Sequence, residues 1–562
     1  MPKINIKERT RAQISSNAIE RMYITMRHLF TRGFYKPMGT SGETLRNSLL
    51  LLQPEIYGNL NGDQVELKGL IYVLDRLPEG IEECQFINLT AEEGYEESFK
   101  VIVPKKRRRN CYRIDERQMN IEITRGRSEV YDILTHLTFL YIESHKIRQR
   151  VYNEKDETIL REWQILEDIV LNNQRLNESN SEVLLVHLGS ILGRTYHEVK
   201  EAYDNFAEAE KPHRFAHIIY WMGKLALDEF TEHSKERTIK FTPDLRESIG
   251  HHVYGEYWAD QIKKVLHENN LFDRPIHIIS ANMHSVMNSL YAPVVLPQHV
   301  NEDEPYEIYR KLSDDAQEDL RRTVRKYAAL NGLYFVDATS GTNIQVQVID
   351  TEKLDLKPWG YEETDQDKPV LIVMDYAFGE QAYETMDELL KPYKTNGSRF
   401  FMNVVSISIM GKAGILDGDK GDIMIPTAHI FEGTADNYPF KNQLRKSDFQ
   451  ESGLKVLKGA MVTVLGTSLQ NKDILKFFKD STWKVIGLEM EGAHYQKAIQ
   501  SASRIRGNIR KDVKVRYAYY ASDNPLQTGS TLASGGLGTT GVKPTYMITI
   551  KILEQIFTQP NI

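Results

Sequence analysis

The chain has almost no cysteine: only Cys84 and Cys111 occur in 562 residues. Two thiols supply neither a disulfide framework nor a four-thiolate metal site, and so low a content fits a reducing compartment. Long hydrophobic runs are missing too; none approaches the roughly 20 apolar residues that span a bilayer. The opening residues, MPKINIKERTRAQ, are polar and charged and hold no apolar core such as a secretory signal needs. A cytoplasmic location without a membrane partner is therefore expected. An excess of positive charge is absent as well. A formal net charge of -7 argues against general affinity for nucleic acid, whose phosphates would be repelled. One basic run, Lys105–Arg109, stands against that balance. It reads as a solvated loop between two strands, with an anion-binding or address role as the alternative.

What is present is an ordinary globular composition, 41% hydrophobic and 27% charged, over a length too great for one core. Residues 1–265 read as a mainly α-helical N-terminal domain, regulatory or oligomerising in role. Asn17–Phe30 and Val130–Ile147 carry apolar stripes at helical spacing, and Arg214–Phe230 is apolar almost all round, as in a buried helix. Between the first two, Leu67–Val73 and Phe99–Val103 are read as strands. From about residue 266 the texture changes. Ile276–Ile279, Leu333–Asp337, Ile344–Ile349, Val370–Met374, Asn403–Met410, Ile423–Ile425, Val462–Leu465, Val485–Leu488 and Val515–Tyr520 are short apolar runs separated by helical stretches. Such alternation predicts an α/β domain over 266–562 with a mostly parallel sheet covered on both faces, and ligands at the carboxyl ends of its strands.

Three of those strand ends carry motifs. Met410-Gly411-Lys412-Ala413-Gly414-Ile415 is followed by Gly421-Asp422-Ile423-Met424-Ile425; Gly487-Leu488-Glu489-Met490-Glu491-Gly492-Ala493 comes next; Ala521-Ser522-Asp523-Asn524 is last. Together and in this order they resemble the G-x-A-G, M-E-G-A and S-D segments of the purine nucleoside phosphorylase and nucleosidase superfamily. Within it the chain is most similar to AMP nucleosidases, which also carry a long N-terminal domain and continue the last motif as S-D-K-P-L; here the run is Ser522-Asp523-Asn524-Pro525-Leu526. The resemblance covers about residues 270–557. It implies a nucleoside phosphorylase-type mixed sheet flanked by helices, a purine nucleoside or nucleotide substrate, a homo-oligomer, and no cofactor or metal.

The chemistry suits these residue types. Breaking the bond between a purine and ribose makes the sugar cationic and loads the base with electrons. A carboxylic acid of raised pKa can protonate the leaving base, and a carboxylate beside the ribose can steady the cation. The resemblance assigns the first role to Asp523 and the second to Glu491, with Met490 packing on the ribose and Ser522, Asn524, Gly411 and Lys412 completing the substrate pocket. Taken alone, Asp523 would read as a loop cap and Glu491 as an acid at a helix N-terminus; Gly492-Ala493 would let the sugar approach closely. Glu489 reads as structural.

Phosphorylases of the superfamily hold phosphate with arginines from the loops after the first and the G-x-G strands. The corresponding loops, Ser280–Ser285 and Tyr376–Glu380, contain none, and Glu380 would repel a dianion. Water is thus the expected second substrate, with Glu380 or His284 orienting or deprotonating it unless either is structural. A phosphate-dependent phosphorylase and a non-catalytic nucleotide-binding sensor are the alternatives. The glycine-rich stretch Thr528–Pro544 is read either as a cradle for a 5′-phosphate, with Lys412 or Lys543 adding charge, or as a lid without phosphate contact. His251-His252 and the His213/His217 pair lack a further ligand at supporting spacing, so no metal is expected there.

Overall fold

In a computed structural model that describes residues 10–172, 178–232, 235–301, 303–336, 340–361, 368–434, 436–527 and 537–558, the chain forms two compact units. One comprises Met1–Thr124, Glu129–Gly250 and Ser468–Ile474; the other comprises Arg125–Ser128, His251–Thr467 and Leu475–Ile562.

The first unit is mainly helical around a six-stranded sheet. The stripes at 17–30, 130–147 and 214–230 lie in the helices Arg11–Arg32, Gly126–Val151 (α1) and Arg214–Thr231. Leu67–Val73, read from the sequence as a strand, is instead the helix Leu67–Leu74. Leu67, Leu70 and Val73 recur at helical rather than alternating spacing, and Gly69 leaves room for the Phe139 ring. Phe99–Val103 contributes the two-residue strand Val101–Ile102.

The basic run does connect two strands, Val101–Ile102 and Cys111–Arg113, but only part of it is solvated. Lys105, Lys106 and Arg108 are exposed, whereas Arg109 is buried against Glu129 at 3.3 Å and Asp132 at 2.8 Å. Arg107 meets Asp132 at 2.7 Å. Two acids on the first turns of α1 thus draw in alternate cations, a use of charge that composition cannot reveal.

The sheet of the second unit has ten strands: β1 (Ile276–Ser280), β2 (Leu333–Val336), β3 (Val346–Asp350), β4 (Val370–Met374), β5 (Val404–Ile415), β6 (Ile423–Phe431), β7 (Asn437–Pro439), β8 (Val456–Thr463), β9 (Gly487–Glu489) and β10 (Lys514–Asp523). Their order is β2-β3-β4-β1-β5-β9-β8-β6-β7, with β10 bonded to both β5 and β6. The pairings β5–β9–β8–β6–β10–β5 therefore close a five-stranded ring. The sheet is mixed rather than mostly parallel. β4–β1, β1–β5, β5–β10, β6–β8 and β8–β9 run parallel. β2–β3, β3–β4, β5–β9, β6–β7 and β6–β10 run antiparallel. Runs of apolar residues mark strands buried on both faces, but they carry no sign of direction.

Helices cover both faces. α2 (Met283–Val295) and α5 (Val542–Thr558) pack Val286, Leu290, Ile552 and Ile556 into one core; α3 (Gln381–Leu389) and α4 (Gly492–Gln500) pack Met386, Leu389, Tyr495 and Ile499 into the other. Among the described residues no helix is long and apolar enough to cross a membrane.

Candidate active site

Strand ends β1, β4, β5, β9 and β10 converge on a cavity of about 230 Å³. Its walls include Ser280, Tyr376, Gly411, Lys412, Thr467, Met490, Glu491, Tyr495, Tyr519 and Ser522. Five residues named from the motifs thus meet in one place: Gly411, Lys412, Met490, Glu491 and Ser522. Lys412 is the one exposed residue in the otherwise buried twelve-residue β5.

A bulge aims Ser522. Ala413 pairs with Ala521 and Gly414 with Asp523, which leaves Ser522 without an opposite residue on β5. Its hydroxyl lines the cavity and donates to Asp523 Oδ1 at 2.6 Å. Asp523 itself lies behind that wall rather than in it, 2% exposed, and its Oδ2 has no hydrogen-bond partner among the described residues. Burial raises its pKa, against the lowering pull of Ser522, Lys420 and Lys412. Asn524 stands apart from the cavity: its amide donates to Gly418 O at 3.1 Å and its Oδ1 accepts from Leu526 N at 3.0 Å, so it braces the turn after β5.

The turn from β9 into α4 separates two carboxyl groups by charge. Glu489 accepts from the backbone N–H of Glu491 at 2.6 Å, from Gly492 N–H and from the Thr463 hydroxyl, and it lies 3.4 Å from His429 Nδ1. Burial would push its pKa up, but His429 and these donors hold it below the usual range. Glu491, two residues on, is raised to about 8, first by burial and then by the negative charge of Glu489. Its Oε1 accepts from Gly379 N–H at 2.9 Å. Gly492 is required for a different reason than close approach of a sugar. A Cβ there would lie 2.3 Å from the His429 ring, so the small residue admits the histidine that lies beside Glu489.

The two candidates for handling water are not in the cavity wall. Glu380 starts α3 beside Gly379; its carboxylate takes a 3.1 Å bond from Arg127 and its N–H donates to Ser128 Oγ at 2.8 Å. His284 is exposed in the first turn of α2, its N–H bonded to Asn282 Oδ1 at 3.0 Å. Residues 528–536 of the glycine-rich stretch fall outside the described residues, and Lys543 borders a separate hollow with Arg310 and Glu554.

Sequence reasoning missed four residues at or beside the site. Tyr519 pairs with Gly411 and Met424 across the ring and lines the cavity, and its buried hydroxyl has no hydrogen-bond partner among the described residues. Tyr495 meets Ser280 at 3.2 Å. Arg125 and Arg127 approach the loop Tyr376–Glu380, with the Arg125 guanidinium 5.0 Å from the Phe378 ring centre. That loop has no arginine of its own, but it does not lack arginine neighbours.

A larger hollow, about 840 Å³, lies within the first unit. Several of its charged groups are paired: Lys211 with Glu79, and Arg113 with Glu83, which also meets His217. His217 therefore does have a carboxylate partner, at 2.8 Å and 134 residues away in sequence. Glu82, Glu83 and His217 bring three potential ligand atoms within 4.8 Å of one another. Arg214 on Glu82 and Arg113 on Glu83 supply the positive charge that a cation would otherwise bring.

Residues 43–302 and 298–558 match a family described as a family of unknown function, DUF6909. The chain belongs to that family. No curated protein matches it. Among solved structures, this DUF6909 member is similar over part of its length to a 5′-methylthioadenosine/S-adenosylhomocysteine nucleosidase from Campylobacter jejuni, at 11% identity and a TM-score of 0.31, covering 51% of this chain and 99% of the other. A futalosine hydrolase from Helicobacter pylori gives 12% identity, a TM-score of 0.30, and coverage of 49% and 97%. Isoform 2 of uridine phosphorylase from Schistosoma mansoni gives 10%, 0.28, and 54% and 87%.

Proposed function

We propose that the second unit binds a purine nucleoside or nucleotide at this cavity and hydrolyses the bond between base and ribose, as an AMP nucleosidase-like member of the nucleoside phosphorylase superfamily. The observation that carries the reading is a pair of buried carboxyl groups on the strand ends that flank β5, both with pKa raised by burial: Glu491 in the cavity wall and Asp523 beside Ser522. The Ser522 hydroxyl passes a proton to the base as the C1′–N bond breaks and its electron pair goes to the base, and Asp523, as the acid, replaces that proton across their 2.6 Å hydrogen bond. Glu491 holds the ribose hydroxyls beside the sugar on which positive charge develops. Water adds at C1′ and gives up its proton to Glu380, to His284 or to solvent. The Tyr519 hydroxyl offers a further bond to the sugar or to that water.

A specific observation also favours the phosphorylase reading. Arg125 and Arg127 stand beside the loop that lacks arginine, and Arg127 offsets the charge of Glu380. Incubation of the full chain with a panel of nucleosides and nucleotides, with and without inorganic phosphate, decides between them. Free base together with free sugar, produced without phosphate, is the expected result. An absolute need for phosphate would transfer the function to the phosphorylase class. Tight nucleotide binding with no base released would leave a sensor.

A further inference from the structure

We infer that Ser128 and Arg127, some 360 residues ahead of Glu491 in sequence, are positioning residues that aim Glu491 through the turn Gly379-Glu380. The inference rests on the proposed role of Glu491 and adds a support for it that lies far from the motifs. Arg125–Ser128 belongs to the second unit although the chain on either side belongs to the first.

The chain of contacts is short. Two successive backbone N–H groups of the turn point at two different acceptors: Gly379 N–H at Glu491 Oε1, 2.9 Å, and Glu380 N–H at Ser128 Oγ, 2.8 Å. The Glu380 carboxylate is tied to Arg127 at 3.1 Å, so backbone and side chain of one residue are both held by the tetrapeptide. Gly379 sits at φ +56, and a Cβ on it would come within 2.4 Å of Ser128 Oγ and 3.8 Å of Met490 Cε. The turn is thus clasped between the Ser128 hydroxyl and the cavity wall, in a backbone conformation that other residues adopt only with strain.

Loss of the hydroxyl leaves the Glu380 N–H without its acceptor. A part-buried donor left unpaired is costly enough to rotate the turn toward another acceptor. Rotation about this peptide carries the neighbouring Gly379 N–H off Glu491. The consequence is specific: the ribose-holding carboxyl loses its fixed direction while Asp523 and the bulge at Ser522 are untouched.

The test compares the full-length parent with Ser128→Ala, Ser128→Thr and Arg127→Ala. In steady-state cleavage of a ribonucleoside and its 2′-deoxy counterpart, Ser128→Ala raises KM for the ribonucleoside roughly tenfold, the size of one charge-assisted hydrogen bond, and narrows the preference for ribose, with a smaller change in kcat. Ser128→Thr, which keeps the hydroxyl, restores both; Arg127→Ala gives a partial loss.

A second measurement does not depend on turnover. The infrared band of the protonated Glu491 carboxyl is assigned by its absence in Glu491→Gln, and its titration is followed. Removal of the Gly379 N–H, which favours the carboxylate, moves the midpoint upward from about 8 in Ser128→Ala. Glu489, Tyr495 and Tyr519, which also face Glu491, are the same in all variants. An unchanged midpoint in a folded Ser128→Ala overturns the inference, as does an unchanged KM. A shifted midpoint in a chain that releases no base would instead keep the positioning and remove the proposed enzyme activity.

Discussion

The hollow of the first unit and the cavity of the second invert the usual link between size and use. The hollow is more than three times as large, yet Lys211, Arg113 and Arg214 in its lining are paired with Glu79, Glu83 and Glu82. The smaller cavity keeps polar groups in reserve. Among the described residues, neither the buried hydroxyl of Tyr519, which lines it, nor Oδ2 of Asp523, next to the lining residue Ser522, has a hydrogen-bond partner. Glu491 accepts from the backbone at Gly379 and sits beside the negative charge of Glu489. Unmatched buried polar atoms are expensive to maintain, and an occupant that satisfies them gives a physical reason for their presence.

The sharpest way to break this contrast is Asp523→Asn. It keeps the shape and removes the proton; base release should fall by about 10²–10⁴-fold while nucleoside affinity, measured by calorimetry, stays near the parent value. Equal turnover in mutant and parent would remove the proposed acid.

A smaller effect is expected on stability from Glu491→Gln. A carboxyl whose folded pKa is about 8 stays protonated in the folded chain while the unfolded chain ionises from about pH 4.5 upward. The parent therefore loses stability progressively as pH rises from about 5 to 8 and no further beyond, whereas glutamine does not. Melting temperatures of the two should agree near pH 4.5, diverge in favour of the mutant up to about pH 8, and then run parallel. A constant offset across that range contradicts the raised pKa.

The weakest perturbation belongs to the other region. Glu83→Gln in the first unit loses part-exposed ion pairs and should cost about 1 kcal/mol or less in urea unfolding. Base release should stay within about twofold of the parent. A large loss of activity would mean that the paired hollow serves the reaction after all.

Local patterns made much of the second unit legible. The apolar runs at 276–279, 370–374 and 515–520 fall on strands, and the glycine-rich and acidic motifs fall on strand ends that share one cavity. Strand direction was not legible, because a strand buried on both faces reads the same either way. The contribution of Tyr519 was hidden for a related reason: it depends on β10 pairing with both β5 and β6, a property of the closed ring rather than of the segment. Gly492 was visible as a needed glycine, but its reason, the His429 ring, lies 63 residues upstream. Arg125 and Arg127 escaped because the argument from missing arginines counted only the loop's own residues. Helix Leu67–Leu74 was misread where eight mostly apolar residues satisfied two periodicities at once.

The ring β5–β9–β8–β6–β10 has a mechanical consequence. A closed circuit of paired strands has no free edge along which one member can slide, so any shift of register in one pair must be absorbed by the other four. The walls bearing Lys412, Glu491 and Ser522 therefore move together or not at all, and new ligand preferences in such a frame have to arise by exchanging side chains on a fixed backbone.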